Sequence, residues 1–455
     1  MMSYQACVQD AERLLKESYR KLPEEYFINK SANTYLFNNI TKYIYSRPAM
    51  SEKEEGEKLL RHEIESCNTL TMYAGVPWCE KICSFCNFAF STTQNSDVYR
   101  KYINVLLREI DLLNKLGLAE RTVTSIYFGG GTPTVLDNSL FEEYLTSVLN
   151  KVCLAEKPSI TCESTINTVD LDKLSIMRRV GVTRLSTGLQ SLNDEVRTQA
   201  RLLGSGAEAL EKVVMCRDMF DMFNVDLIYG HPYQSLEAWF DTILRTAKLE
   251  LPSITLYRLE VKDRTSNFNL YQRSNDSFAD ELLARQQYFM AKIVLTNLGY
   301  VENPLGWFIR KDKHSGSKSW QTHMKGWAST SPYLGVGQGA FTLSPGVYYE
   351  NHQVNQTWQT SIENGRLPMR MLIPLDRKVA FMNRLIKVLR TAKEIDLSAI
   401  EQELSELDLE IPLRRTINQH HDWGLLKHDS NRFVLTVAGE SLIHWMIDEL
   451  LTVCG

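Results

Sequence analysis

The sequence has no apolar stretch long enough to span a bilayer, which excludes a transmembrane helix. Residues 1–30 carry charges throughout and have no apolar core of the kind that secretion signals contain. No charge of one sign dominates, because 51 Lys and Arg face 55 Asp and Glu, for a net charge of -4. General attraction to nucleic acid or to an anionic membrane is therefore not expected. We expect a cytoplasmic protein that binds neither.

Cysteine is sparse and its count is odd, with nine residues in a chain of 455. A chain of this length builds its core without disulfides, so the count indicates a reducing compartment. Three of the cysteines cluster, at Cys79, Cys83 and Cys86. We expect the others to be small apolar residues. They are Cys7, Cys67, Cys153, Cys162, Cys216 and Cys454.

The middle of the chain alternates short β-rich runs with helical stretches, which predicts an α/β fold with a parallel sheet. Residues 1–68 precede it as a helical extension, and residues 69–265 hold six such units. Six units predict a partial (β/α)6 barrel. The candidate strands are Leu70–Val76, Ser125–Phe128, Ser159–Glu163, Thr183–Leu189, Phe223–Tyr229 and Ser253–Leu259.

The rhythm breaks after about residue 265, so we predict that residues 266–375 extend the barrel. A long helix is expected at Ser277–Leu298, followed by loops rich in Gly, Trp and His. The pattern of residues 376–455 predicts a mainly helical, winged-helix-like domain. Lys and Arg do not cluster there strongly enough to indicate DNA binding.

The cysteine spacing Cys79-x3-Cys83-x2-Cys86 suits an iron–sulfur cluster. Three thiolates can hold three irons of a [4Fe-4S] cube, and the fourth iron is left for a small molecule. S-adenosylmethionine carries both an amine and a carboxylate that could chelate this iron. Structural zinc is the main alternative, but it normally needs four ligands in paired spacing.

The three cysteines, followed by an aromatic residue, resemble the signature of the radical S-adenosylmethionine superfamily. Tyr73-x3-Pro77-Trp78 before Cys79 resembles the subfamily of oxygen-independent coproporphyrinogen III oxidases, and the likeness runs from about residue 70 to 375. This resemblance implies a barrel of the radical S-adenosylmethionine type, with a [4Fe-4S] cluster and S-adenosylmethionine. It also implies a small-molecule substrate and an electron donor such as flavodoxin or ferredoxin.

The resemblance also implies which residues bind S-adenosylmethionine. A glutamate ends the third strand in this family, an aspartate of the fifth strand binds ribose, and a glutamine lies between two cofactor sites. Arg201 stands one residue before the position of the family's arginine. No catalytic acid or base is assigned. The implied binding residues are Tyr73, Gly130, Gly131, Thr132, Glu163, Gln190, Arg201 and Asp226.

Three functions remain open within this family. Coproporphyrinogen oxidases usually carry a further cysteine just after the third, where Asn87-Phe88 stands here. Haem-binding chaperones share the aromatic residue, but they usually begin almost at the cluster strand. The favoured interpretation is a methylase or cyclopropanase that uses a second S-adenosylmethionine as carbon donor to an unsaturated acceptor. A close relative of such methylases opens haem anaerobically.

Overall fold

In the computed structural model, six parallel strands run side by side in chain order at the centre of one 12-stranded sheet. The structure describes residues 3–22, 43–88, 91–314 and 332–453. Parallel pairing in chain order confirms the predicted partial barrel. The central strands are β1 (Thr69–Val76), β2 (Thr122–Gly130), β3 (Cys153–Thr165), β4 (Arg184–Gln190), β5 (Phe223–Tyr229) and β6 (Ser253–Arg258).

The connecting helices turn apolar stripes toward the sheet. In the helix that follows β1, Tyr102, Leu106 and Ile110 are buried at helical spacing, and Asn95 caps its first turn. The helices are α1 (Tyr4–Tyr19), α2 (Lys53–Glu65), α3 (Ser96–Lys115), α4 (Asn138–Asn150), α5 (Leu171–Arg179), α6 (Asp194–Gln199), α7 (Gly206–Met219), α8 (Leu236–Ala247), α9 (Ser266–Tyr271), α10 (Glu281–Asn297), α11 (Lys311–His314), α12 (Asn355–Glu363), α13 (Arg377–Ala392), α14 (Leu397–Glu406), α15 (Glu410–Asp422), α16 (Val437–Ser441) and α17 (Ile443–Thr452).

The two faces of the central sheet differ in chemistry. On the outer face, alternate residues such as Met72, Ile126 and Val225 are fully buried in the main apolar core. The inner face is polar, because the residues between them carry hydroxyl, amide and carboxyl groups. A polar interior does not pack dry as a core does, so it leaves a recess for a ligand. The inner residues include Tyr73, Tyr127, Thr161, Glu163, Ser186, Asn224, Asp226 and Thr255.

Residues 266–375 extend both edges of this same sheet. At one edge β9 pairs parallel with β1, and β10, β11 and β12 continue antiparallel. At the other edge β8 pairs antiparallel with β6, and β7 pairs with β8. The predicted long helix is α10, and residues 315–331 of the Gly-, Trp- and His-rich loops lie outside the described residues. The flanking strands are β7 (Tyr300–Glu302), β8 (Trp307–Arg310), β9 (Tyr333–Val336), β10 (Phe341–Leu343), β11 (Val347–Asn351) and β12 (Met369–Pro374).

The C-terminal region has a core of its own, built from α13 to α17 and a three-stranded sheet. Its strands are β13 (Glu394–Asp396), β14 (Leu426–Asp429) and β15 (Arg432–Leu435). The order of helix, strand, two helices and a hairpin fits the predicted winged-helix-like domain. Cys454 lies outside the described residues. The division into four domains and the three boundaries between them stay predictions.

The N-terminal extension packs against the rest of the fold. Helix α1 lies along α10, and the ring of Tyr4 is 5.5 Å from that of Phe240 in α8. Helix α2 meets β12, where a Cβ at Gly56 would lie 3.3 Å from side-chain atoms of Leu372 and Met369. None of the helices in the described ranges is long and apolar enough to cross a membrane.

A buried carboxylate joins α3 to the segment after β9. Glu109 accepts hydrogen bonds from the Gly337 amide at 3.0 Å, from Asn351 at 2.5 Å and from the Trp358 indole at 3.0 Å. Burial raises the pKa of Glu109 to about 8, although the three donors act in the opposite direction. All three hydrogen-bond donors belong to residues more than 200 positions away from Glu109 in the sequence.

Replacing Glu109 by Ala should destabilise the protein by about 3 kcal/mol, because three buried donors would lose their acceptor. Chemical denaturation followed by circular dichroism measures this. Arg108→Ala is the matched control, since Arg108 is the exposed neighbour on the same helix. Equal unfolding midpoints for the two variants would contradict the structural role of Glu109.

Candidate functional site

The three clustered cysteines lie on one loop that directly follows β1 at its carboxyl end. The Cys79 amide donates to Ser91 O at 3.2 Å. The Ser84 amide donates to Ala200 O at 3.0 Å, and the Asn267 amide donates to Ser84 O at 2.8 Å. The loop is therefore fixed to three separate parts of the barrel rim.

The thiols share one recessed environment. Burial raises the pKa of Cys79 to about 11 and that of Cys83 to about 12, and the charge of Cys86 adds to both shifts. In the described part of the chain, no three His, Cys, Asp or Glu side chains converge closely enough to hold a single metal ion. The donor set of three thiols in one loop fits three irons of a [4Fe-4S] cluster. Spacing and donor chemistry carry this assignment.

The glycine run at the end of β2 packs directly on the start of the cysteine loop. The amides of Gly131 and Thr132 donate to the carbonyls of Val76 and Trp78, both at 2.6 Å. The Thr132 hydroxyl is 3.1 Å from the Cys79 sulfur. A glycine run can leave its backbone amides free to bind a ligand. The amides of Gly131 and Thr132 are instead used to hold the cysteine loop.

Because glycine has no side chain, this run leaves room for two of the predicted binding residues, Glu163 and Tyr73. A Cβ at Gly129 would lie 2.5 Å from Glu163 Oε2 and 3.1 Å from the Tyr73 ring. Gly130 has φ +107° and its Cβ would lie 2.5 Å from Val76 O. Tyr73, the glycine run, Glu163 and Cys79 are thus parts of one continuous surface.

Two inner-face carboxyl groups, Glu163 on β3 and Asp226 on β5, lie on the two strands that flank β4. Tyr127 donates to Glu163 Oε1 at 2.5 Å, and Asn224 donates to Asp226 Oδ1 at 2.9 Å. Burial raises the pKa of Glu163 to about 7 and that of Asp226 to about 6, while the cation of Arg184 opposes both shifts. The pair titrates near neutral pH when no ligand is bound.

This pair predicts a pH dependence of stability in the cofactor-free protein. Both folded pKa values lie above the ordinary ones, so the stability that these groups contribute is present near pH 4 and is lost as the pH rises through 6 to 7. Glu163→Gln cannot titrate, so between pH 5 and 8 it should lose about 2 kcal/mol less stability than the parent protein. Thermal unfolding at each pH measures this difference. Glu195→Gln, at an exposed position, should follow the parent curve.

Gln190 closes β4 in a strained conformation. Its φ is +65°, a backbone conformation that residues other than glycine seldom adopt. The register between β4 and β5 also shifts beside Gln190. The Oε1 atom is buried with no hydrogen-bond partner. Register places Asp226 level with Gly188, two residues before Gln190. An orphaned polar atom on this recess fits a ligand that supplies the missing donor.

Within the described residues, no recorded contact connects Arg201 to Glu163, Asp226 or Gln190. The side chain of Arg201 is exposed, and its φ of +59° lies in the left-handed region. The preceding residue, Ala200, accepts the hydrogen bond from Ser84, so Arg201 lies beside the cysteine loop. A role in cofactor binding stays a prediction.

Three residues of the site carried no role in the sequence analysis. Tyr127 and Arg184 lie against Glu163 or Asp226 on the inner face. His231 follows β5, and its ring is 5.5 Å from that of Phe85 in the cysteine loop. Burial lowers the pKa of His231 to about 3, so the ring is neutral. Strand alternation around Glu163 could have identified Tyr127 and Arg184, but no sequence pattern pointed to His231.

Comparison with known proteins gives a consistent result. Residues 73–245 match the family model of the radical SAM superfamily. An oxygen-independent coproporphyrinogen III oxidase from Synechocystis sp. is 26% identical over 344 residues, which are 73% of this chain and 72% of that protein. An anaerobilin synthase from Escherichia coli O157:H7 is 24% identical over 84% of each chain. The solved structure of coproporphyrinogen III oxidase from Escherichia coli superposes with a TM-score of 0.76 at 22% identity, over 88% of this chain and 93% of that one.

Proposed function

Because the chain belongs to the radical SAM superfamily and to its coproporphyrinogen-oxidase-like group, we propose that it is a C-methyltransferase or cyclopropanase. It would use two molecules of S-adenosylmethionine, the second as the carbon donor. The acceptor would be an unsaturated carbon of a tetrapyrrole, since the names of both relatives refer to porphyrin or bilin chemistry. A one-electron donor such as flavodoxin or ferredoxin would reduce the enzyme.

Two observations bear on the choice within the group. The alignment with the anaerobilin synthase extends over 84% of both chains, including regions outside residues 73–245. In addition, Phe88 stands at the position where coproporphyrinogen oxidases usually carry a further cysteine. The Phe88 ring is 64% exposed, and its amide lies 3.4 Å from the Cys86 sulfur. The replacement of that cysteine by Phe88 is the reason for which we favour methylation over oxidation.

The chain's own residues would hold and orient the reactants. Cys79, Cys83 and Cys86 would hold the cluster, which when reduced supplies the electron that splits S-adenosylmethionine into methionine and a 5'-deoxyadenosyl radical. Asp226 would accept hydrogen bonds from ribose hydroxyls. Gln190, with its orphaned Oε1, would receive a donor from one of the two cofactor molecules.

The remaining inner-face groups would keep the recess selective. Tyr73 stacks on Tyr127 with ring centres 6.2 Å apart, which gives an apolar wall beside Glu163. Glu163 would contact the cofactor, while the Arg184 cation offsets the charge of the two carboxylates. Because no dedicated acid or base is required, the protein's contribution is positioning and exclusion of water.

Oxidation of a coproporphyrinogen-like substrate is the second candidate, favoured by the alignment over 72% of the Synechocystis oxidase. A haem-binding chaperone is the third. The packed α1 and α2 helices argue against it, since chaperones of this kind usually begin near the cluster strand.

Product analysis separates the three functions. The cluster is reconstituted anaerobically and reduced in the presence of S-adenosylmethionine and haem or coproporphyrinogen. Methylation should yield 5'-deoxyadenosine and S-adenosylhomocysteine together. Deoxyadenosine alone would support oxidation, and haem binding with neither product would support the chaperone.

A further inference from the structure

An aromatic ladder of six rings runs along the inner face of the sheet, from the reaction recess to the surface of the protein. It takes one ring from each of five neighbouring strands, β2, β1, β9, β10 and β11, and its last ring comes from the N-terminal region. Side chains at paired or diagonal positions of adjacent strands lie beside one another, which sets this order. From the recess outward, the rings are Tyr127, Tyr73, Tyr333, Phe341, Tyr348 and Tyr45.

Each ring of the ladder is in contact with the next. The ring centres of Tyr127 and Tyr73 are 6.2 Å apart, and those of Tyr73 and Tyr333 are 6.4 Å apart. The centre of the Phe341 ring lies 5.4 Å from that of Tyr333 and 6.0 Å from that of Tyr348. Aromatic side chains in contact typically have ring centres about 4.5 to 7 Å apart, so the ladder is continuous.

The two ends of the ladder lie in different environments. At the outer end, Tyr45 is 46% exposed, and its ring centre lies 5.8 Å from that of the buried Tyr348. At the inner end, Tyr127 donates to Glu163, and Tyr73 lies against the glycine run. The ladder therefore connects solvent with the recess in which a 5'-deoxyadenosyl radical would form.

The hydroxyl groups at the outer end share one carboxylate. Glu350 Oε1 accepts hydrogen bonds from Tyr348 at 2.6 Å and also from Tyr45. Arg370 Nε donates to the other oxygen of Glu350 at 2.9 Å, which holds this carboxylate in place. At the inner end, Tyr127 likewise donates to a carboxylate oxygen. Both ends thus pair a phenol with a group that can take its proton.

These pairs favour one-electron oxidation of tyrosine. Loss of an electron makes a phenol strongly acidic, and a carboxylate in hydrogen-bond contact can take the proton in the same step. Rings that served packing alone would need no hydroxyl, because phenylalanine fills the same space without a polar group to satisfy. Five of the six rings nevertheless carry one.

We propose that the aromatic ladder carries a misdirected radical from the recess to the surface and so protects the enzyme. A 5'-deoxyadenosyl radical that forms without an acceptor in place would otherwise attack a C–H bond of the protein. Methylation and oxidation share this radical, so the ladder serves the enzyme whichever of the two reactions it catalyses.

Atoms and electrons balance along the ladder. A phenol of the recess, Tyr73 or Tyr127, loses its O–H hydrogen, and a C–H bond forms at C5' to give 5'-deoxyadenosine and a phenoxyl radical. This transfer is downhill, because the O–H bond of a phenol is weaker than a C–H bond of a methyl group. An electron from the outer tyrosines then reduces that phenoxyl, which regains a proton from the recess, while Glu350 takes the proton that is released.

The radical leaves the protein at Tyr45. A thiol in solution gives its S–H hydrogen to the Tyr45 phenoxyl, which restores the phenol and leaves a thiyl radical. Two thiyl radicals then join as a disulfide. Phe341 is not oxidised in this scheme, since its ring serves as the contact through which an electron passes from Tyr348 to Tyr333.

Electron paramagnetic resonance in a single turnover tests the proposal with the full chain and its reconstituted cluster. The cluster is reduced, excess reductant is removed, and S-adenosylmethionine is mixed in without an acceptor. In the parent protein a phenoxyl signal should accompany 5'-deoxyadenosine, and its hyperfine splitting should narrow when the tyrosines are ring-deuterated. Dithiothreitol should remove this signal at least about tenfold faster than buffer alone does.

Two variants interrupt the ladder outside the cofactor-binding residues. Phe341→Leu removes the middle ring, and Tyr45→Phe removes the exposed phenol but keeps its ring. In both variants the phenoxyl signal should still form, but in dithiothreitol it should persist at least about tenfold longer than in the parent protein. The reason is that a thiol does not reach the inner phenols, since Tyr348 is only 4% exposed.

Two further variants serve as controls. Phe341→Tyr keeps a ring in the middle of the ladder and should behave as the parent protein does. Tyr233→Phe changes an exposed tyrosine outside the ladder and should leave the quenching rate unchanged. Because Tyr45→Phe is a conservative change at the surface, a folding defect in Phe341→Leu would leave the test intact.

Two results would overturn the proposal. The first is formation of 5'-deoxyadenosine by the parent protein without any phenoxyl signal. The second is quenching at the parent rate in Tyr45→Phe and in folded Phe341→Leu. Neither result depends on the methylation assay, because the acceptor is left out of this experiment.

Discussion

Replacing Cys79, Cys83 and Cys86 together by Ala should remove the brown absorbance of the reconstituted protein and all cleavage of S-adenosylmethionine. The parent protein should hold about four irons and four sulfides per chain. With no thiolate left in the loop after β1, the cluster has no protein ligands, and no electron can be delivered. Iron and sulfide analysis with chromatography of 5'-deoxyadenosine measures both losses.

The matched control changes three other cysteines, Cys153, Cys162 and Cys216, to Ala. Cys153 is exposed, and the remaining two are buried, away from the cysteine loop. This variant should keep the cluster, although the loss of buried sulfur should lower its melting temperature. A full cluster in the first variant, or its loss in a folded control variant, would refute the assignment.

Gly131→Ala should reduce cleavage of S-adenosylmethionine by about 100-fold or more. A Cβ there would lie 2.2 Å from the carbonyl oxygen of Trp78, and only backbone movement can relieve this contact. Trp78 immediately precedes Cys79, so the first cluster ligand must shift. Displacements of about 1 Å in a reacting centre typically cost about that factor in rate. Iron content and the rate of deoxyadenosine formation measure the effect.

Gly181→Ala tests whether backbone strain alone could give the same result. Gly181 has φ +90°, but a Cβ there would meet nothing within 4 Å. We expect this variant to lose about 1 kcal/mol of stability and to keep its activity. If Gly131→Ala retained the parent rate, the glycine run would not hold the cysteine loop as described.

Local patterns were sufficient to predict the central fold. Each of the six expected strands is found, because alternation of buried residues and flanking helices are properties of contiguous sequence. The bounds were least accurate for β3, which begins at Cys153, six residues before the expected Ser159. Residues 153–158 include no buried residue, since three are exposed and three are half-buried, so the apolar signal there is weak.

Long-range partners could not be predicted in the same way. Glu109 received no role in the sequence analysis, because its three donors come from distant residues between 337 and 358. The aromatic ladder likewise joins five strands with Tyr45. The use of the Gly131 and Thr132 amides depends on how the end of β1 meets the end of β2. These features arise only from tertiary packing.

Transfer of label from the methyl group of S-adenosylmethionine tests the central claim most directly. The reduced enzyme is supplied with S-adenosylmethionine carrying a fully deuterated methyl group and with the acceptor, and the products are analysed by mass spectrometry. If a second S-adenosylmethionine is the carbon donor, deuterium should appear in 5'-deoxyadenosine and also in the product. Deoxyadenosine without deuterium, from an assay that turns over, would contradict the account and indicate hydrogen abstraction from the substrate itself.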